Sequence, residues 1–186
     1  MKVIVIINGR PRAGKDAFVR AVRAAAEMRE WTVINWSSID PVKRAAAKIG
    51  WDGVKDARGR KLLSGLKALL GEYCDFSYEK TREAMKSFLA MHGDGMMFIH
   101  IREPEEIARA VSLAEALGAE ARTLLVTSPR AEGDASNSSD AGVEGCRCDA
   151  SVYNGGTLED LARTAEEFFS DWASGARGGS YGGSAA

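Results

Sequence analysis

The sequence has no excess of charge of either sign: 25 lysines and arginines stand against 26 aspartates and glutamates, a formal net charge of −1. That balance argues against a bulk nucleic-acid binder, which shows a basic excess or stripe. No run approaches the roughly 18–20 apolar residues that a bilayer-spanning helix requires, so no membrane partner is expected. Cysteine is scarce and odd in number (Cys74, Cys146, Cys148), which excludes a secreted disulfide scaffold. Cys146-Arg-Cys148 has no second pair to complete the four ligands of a structural zinc, so these read as incidental thiols. There is no internal repeat, and the opening MKVIVIINGR is too short for a secretory signal and lacks its small-residue cleavage pattern. The expectation is a soluble, cytoplasmic chain of 186 residues, 45% of them hydrophobic, with one domain large enough to bury a core.

What the sequence does contain is an alternation of β-branched runs and helix-forming stretches. Val3–Ile7, Trp31–Trp36, Met96–Ile101, Ala121–Thr127 and Ser151–Tyr153 read as strands, the first of them buried on both faces. Ala17–Arg29, Pro41–Ile49, Arg60–Leu70, Tyr78–Met91, Glu105–Leu117 and Thr157–Trp172 read as helices. Asp40 is the expected N-cap of the second helix, and Thr157 with Asp160 the capping box of the last. Gly50–Gly59 reads as a loop, Gly71–Ser77 as a break between two helices, and Ser128–Asp149 as a long loop of the kind that forms functional lids. The Gly/Ser-rich stretch 174–186 has nothing to bury and is expected to be disordered. Strands alternating with helices imply an α/β fold, a three-layer doubly wound parallel sheet of about five strands in a single domain over 1–173. In such sheets chemistry sits just beyond the carboxyl ends of the strands.

After the first strand comes Gly9-Arg-Pro-Arg-Ala-Gly14-Lys15-Asp16, the pattern G-x-x-x-x-G-K of a phosphate-binding loop. Its glycines let successive backbone N–H groups converge on an anion, and the helix that follows adds its N-terminal dipole. Lys15 is then placed to neutralise the β- and γ-phosphates. Three fixed positions arise by chance in roughly 5% of chains of this length; the strand-to-helix context lifts the match above that background. A dinucleotide fingerprint G-x-G-x-x-G is disfavoured because position 11 is Pro. Asp16 replaces the usual Ser or Thr. A carboxylate beside polyphosphate calls for a divalent cation between them, so Asp16 is a candidate Mg²⁺ ligand, direct or through water.

The loop GRPRAGKD resembles the nucleoside monophosphate kinase-like branch that includes phage-type deoxynucleoside monophosphate kinases and animal phosphomevalonate kinases. Similar stretches are SSIDPVKRAAAKIGWDG, RGRKLLSGLKAL, FIHIREPEEI, NSSDAGVEG and DASVYNGGTLEDL, so the resemblance spans Met1 to about Trp172. It implies a P-loop kinase fold with a helical acceptor-binding insertion at about 37–92 and a lid at about 128–149. It also implies ATP and Mg²⁺ as cofactors and a phosphorylated small-molecule acceptor, in a monomer or homodimer without nucleic acid or membrane. Gly9, Arg12, Ala13, Gly14, Lys15, Asp16 and Ala17 would hold the ATP phosphates and Mg²⁺, and Asn154 and Gly155 would border the adenine. Arg102 would contact phosphate, Glu103 would serve metal or substrate, and Asp40, Lys43, Arg60 and Lys67 would face the acceptor. Arg130 is the lid arginine expected to reach phosphate, with Arg147 the other basic residue available there.

The functional expectation is transfer of the ATP γ-phosphate to a (deoxy)nucleoside monophosphate. The alternatives are a phosphomevalonate- or dephospho-coenzyme-A-like acceptor, or a nucleotide-binding regulator without transfer. Position at the sheet's carboxyl edge favours function over a plain surface ion pair for Arg102 and Glu103. For His100, flanked by Ile99 and Ile101, a satisfied interior histidine is favoured over catalysis, because phosphoryl transfer needs no histidine base.

Overall fold

The computed structural model describes residues 1–131, 148–175 and 178–182. Its elements run β1 (Lys2–Asn8), α1 (Lys15–Glu27), β2 (Thr32–Ser37), α2 (Asp40–Lys48), α3 (Ala57–Cys74), α4 (Phe76–Leu89), β3 (Gly95–His100), α5 (Pro104–Ala116), β4 (Glu120–Thr127), β5 (Ala150–Tyr153), α6 (Leu158–Ala173) and β6 (Gly179–Tyr181). All six strands are parallel, in the order β2-β3-β1-β4-β5-β6. β1 lies between β3 and β4, with Val5 opposite Phe98 on one side and Arg122 on the other. The chain thus leaves β1 toward one edge and returns to fill the other, which makes the loop after β1 the topological switch point.

Alternation along β1 explains its unbroken hydrophobicity. Val3, Val5 and Ile7 face a core closed by α1 and α6, while Ile4 and Ile6 face a second core closed by α4 and α5. The first core is aromatic. Phe168 packs edge-on against Phe18 with ring centroids 5.2 Å apart and stacks at a tilt on Trp172 at 4.3 Å. A third, smaller cluster of Val42, Ala46 and Leu63 joins α2 to α3 in the insertion between β2 and β3.

Three expectations need correction. The sheet has six strands rather than about five, because Gly179–Tyr181, within the tail expected to be disordered, pairs parallel to β5. The reason is one aromatic in that tail: Tyr181 buries its ring against Phe168 at 5.4 Å and donates from its hydroxyl to Asp171 Oδ2 at 3.2 Å. Asp40 is not the N-cap of α2 but its first helical residue; Ile39 takes the cap position without a side-chain bond, and the Asp40 carboxylate accepts from Lys43 Nζ at 2.6 Å. The break at Gly71–Ser77 narrows to Asp75 alone, left-handed at φ 50°, with helix on both sides. Arg109 donates to both oxygens of that carboxylate, so the turn between α3 and α4 is tied to α5. The capping box on α6 is as expected: Asp160 N–H donates to Thr157 Oγ1, and Thr157 N–H to Asp160 Oδ2. Among the described residues no helix is long and apolar enough to cross a membrane.

Candidate active site

The loop between β1 and α1 is shaped by close approach on two sides. Gly9 has φ 144° and lies against β4, where a Cβ would stand 2.2 Å from Val126 O. Gly14 caps α1 at φ 90°, and a Cβ there would meet Asn154 Nδ2 at 2.1 Å. Only glycine fits either position. Asn154, buried at the end of β5, donates from that Nδ2 to Ala13 O at 3.0 Å, and its own N–H bonds Thr127 O at 2.8 Å. The loop is therefore clamped between the ends of β4 and β5 while α1 starts directly behind it.

Lys15 opens α1 and curls back over the loop, donating from Nζ to Arg10 O at 2.8 Å and to Gly9 O. Its ammonium is thereby parked at the mouth of the turn. Asp16 lies in the first turn of α1 with its side chain 74% exposed. Asn35 near the end of β2 donates from Nδ2 to Asp16 Oδ1 at 3.2 Å, and Asn35 Oδ1 lies 2.6 Å from His100 Nε2. This sets a polar chain of His100, Asn35 and Asp16 along the carboxyl ends of β3 and β2.

His100 is the satisfied histidine expected, but it sits at the rim of the site rather than in the interior. Its pKa is held below the usual 6.5, first by burial, with Lys15 and Arg102 adding to the lowering and Asp16 and Asp40 opposing it. Those four charges, contributed by the phosphate loop, α2 and the segment after β3, all bear on one imidazole. The structure thus brings Lys15, Asp16, Asp40 and Arg102 into one electrostatic neighbourhood. Sequence reasoning missed Asn35; the available signal was an amide breaking the apolar run of β2 two residues before its end.

Glu103 belongs to a different cluster from Asp16. Lys67, on α3, donates to Glu103 Oε1 at 2.8 Å and to Glu106 Oε2 at 3.1 Å. Burial works against the Lys67 ammonium, yet the bond to Glu103 and the two carboxylates outweigh it and raise its pKa. Burial likewise works against the Glu103 carboxylate, and the Lys67 contact overrides it, lowering the pKa below 4.5. Glu106 is raised instead, by burial and by the Glu103 charge. Lys67 also lines a small cavity of about 50 Å³ with Ser38, Ile101 and Arg109. The two residues assigned separately to acceptor and metal are in fact each other's partners. Among the described residues no group of three or more His, Cys, Asp or Glu could hold a metal ion.

Arg130 follows β4 on a single tight helical turn, Pro129–Ala131, and donates from Nη2 to Gly156 O at 3.3 Å. It therefore leans on the loop holding Asn154 and Gly155, beside a cavity of about 480 Å³ lined by Asn154, Gly156, Leu161 and Thr164. Arg12 is exposed on the loop at φ 64°, and Ala13 and Ala17 pack beneath it. Arg60 and Arg102 are exposed, the first on α3 and the second directly after β3. Residues 132–147, which hold most of the expected lid and Arg147, lie outside the described residues.

The parallel sheet order and the loop after β1 define the architecture as a doubly wound α/β fold of the P-loop NTPase type. No protein-family model matches the sequence, and no curated protein matches it. Solved structures do match in fold. The APS kinase of Mycobacterium tuberculosis, in complex with AMPPNP and APS, superposes with a TM-score of 0.55 at 10% identity, covering 91% of this chain and 98% of that one. A candidate kinase of Chloroflexus aurantiacus superposes with a TM-score of 0.51 at 14% identity, over 94% and 97% of the two chains. At such identities the likeness establishes the fold.

Proposed function

We propose that this chain is an ATP-dependent phosphotransferase acting on a phosphorylated small molecule, with a (deoxy)nucleoside monophosphate as acceptor. The observation that carries the reading is the clamped glycine turn at the switch point, with Lys15 poised on its carbonyls and the N-terminus of α1 behind it. A phosphate entering the turn is met by main-chain N–H groups and the helix dipole. It offers Lys15 Nζ anionic oxygens in place of two neutral carbonyls, a stronger charge-assisted contact.

Asp16 fits a Mg²⁺ ion as a single protein ligand. Its carboxylate is exposed beside the turn and oriented by Asn35, and Mg²⁺ commonly takes one or two carboxylates with phosphate oxygens and water. When bound, the ion would offset charge on the transferring phosphoryl group. Glu103, held by Lys67, acts on the acceptor side rather than beside Asp16. Asn154, Gly155 and Arg130 border the nucleoside end. Asp40, Lys43, Arg60 and Lys67 face the acceptor, and Arg102 lies between the two halves. Such a site works by positioning and charge neutralisation.

The test is ADP release from Mg²⁺-ATP with and without a panel of nucleoside and deoxynucleoside monophosphates, phosphomevalonate and dephospho-coenzyme A. Turnover that depends on a monophosphate supports the reading. ATP binding without acceptor-dependent turnover replaces it with a regulatory role.

A further inference from the structure

The face of the sheet opposite the phosphate loop holds a cavity of about 670 Å³, walled by β2, α2 and α4. Strand alternation separates it from the site just described. On β2, Asn35 turns to Asp16, while its neighbours Ile34 and Trp36 join the core on the other face and line the cavity. Its walls are mainly apolar, with Trp36 and Met97 from the sheet and Phe76 and Phe88 from α4. The volume lies within the roughly 300–1,000 Å³ of small-molecule pockets.

The mouth of this hollow is not apolar but basic. Arg44 and Lys48, four residues apart on α2, share a face of that helix, and Lys80 stands across from them on α4. Among the described residues one carboxylate lines the cavity, Glu83, and Lys80 already binds it at 2.7 Å. Neither Arg44 nor Lys48 is ion-paired among the described residues, and the Arg44 guanidinium lies 5.5 Å from the Trp36 ring centroid. Uncompensated cations thus rim an apolar hollow.

We propose that this cavity is a second binding site, separate from the phosphate loop, for an amphipathic anion. The aliphatic or aryl body fills the hollow against Trp36, Phe76 and Phe88, and the carboxylate or phosphate head rests on Arg44 and Lys48. The charge at the mouth is what selects an anion over an uncharged or cationic amphiphile.

Isothermal titration calorimetry on the full chain tests this with three probes of one tail length: decanoate, decanol and decyltrimethylammonium. Decanoate is expected to bind at one per chain with a negative heat-capacity change, more weakly as salt rises, and at least ten-fold tighter than decyltrimethylammonium. Arg44→Glu with Lys48→Glu should weaken decanoate ten-fold or more, and Ala84→Trp should abolish it by filling the cavity. Both variants should bind Mg²⁺-ATP as the parent does. If Ala84→Trp does not fold, the charge-reversal pair decides. The proposal is overturned by absence of saturable decanoate binding, by equal binding of the cationic probe, or by indifference of decanoate to these variants. It is equally overturned if Mg²⁺-ATP displaces decanoate, which would place the anion on the phosphate loop.

Discussion

Asn154 Nδ2 donates to Ala13 O at 3.0 Å across 141 residues of sequence, and the same nitrogen stands 2.1 Å from the point a Cβ on Gly14 would occupy. The first residue of the β5–α6 loop thus shapes the glycine turn between β1 and α1. Gly14→Ala meets both a left-handed backbone at φ 90° and the Asn154 amide, so the turn must open. We expect Mg²⁺-ATP affinity to fall at least ten-fold while the far-UV circular dichroism is retained. Gly14→Ala with Asn154→Ala removes the collision but not the backbone strain, so the two changes should be less than additive. Strict additivity in calorimetry would show that the contact does not shape the turn.

Lys15 is engaged with carbonyls of its own loop, and under the proposed function it exchanges them for phosphate oxygens. Lys15→Ala is expected to lower acceptor-dependent kcat by about a hundred-fold or more, as loss of a charge-stabilising group in a transition state does. Thermal stability should barely change, since the side chain is not part of either core. Near-parental turnover by this variant would end the phosphotransferase reading.

Asp16 carries the local chain through Asn35 to His100. Asp16→Ala should raise the Mg²⁺ concentration needed for half-maximal rate by ten-fold or more at saturating ATP. Asn35→Ala, which leaves the carboxylate but not its orientation, should raise it less. Identical magnesium titrations for parent and Asp16→Ala would assign the ion elsewhere.

His100 gives a pH signature of defined sign. Burial leads the causes that hold its pKa below the 6.5 of an unfolded chain, so the folded state binds fewer protons than the unfolded state as pH falls. Its contribution to stability is full above that reference value and is lost as pH drops through the lower folded value. Urea unfolding of the parent should therefore weaken through this window, and His100→Gln should flatten the slope. A proton resonance of His100 titrating at or above 6.5 would reverse the sign and discard the account.

Much of this was legible in the sequence because local rules and tertiary structure agree there. The β-branched run of β1 is buried on both faces as its composition demands, and the glycines at 9 and 14 mark the loop because nothing larger clears Val126 and Asn154. Thr157 and Asp160 announce α6 by a bond pattern confined to four residues. What was not legible depends on partners distant in sequence. Glu103, expected to serve metal or substrate, is held by Lys67, 36 positions away, a pairing that no local pattern announces. Asp40 reads as a cap until Lys43 draws its carboxylate aside. Asn35 looks like a blemish in a strand until α1 brings Asp16 against it.

The tail shows the same limit most sharply, and it yields the last prediction. Composition around residues 174–186 is that of a flexible linker, yet a single ring in it is 7% exposed and closes the aromatic core beside Phe168. Gly178, at φ 77° and pressed against Asp149 O, turns the chain into β6 so that this ring arrives at the sheet edge. Tyr181→Ala should cost about 2 kcal/mol, less than the 3–5 kcal/mol typical of a central aromatic because β6 is an edge strand. Tyr181→Phe keeps the ring and loses only the bond to Asp171, so about 0.5–1.5 kcal/mol is expected. Urea midpoints for the two variants and for a chain ending at residue 177 measure the difference. If truncation and both substitutions leave the midpoint unchanged, β6 contributes nothing to the fold and the sheet is in effect one of five strands.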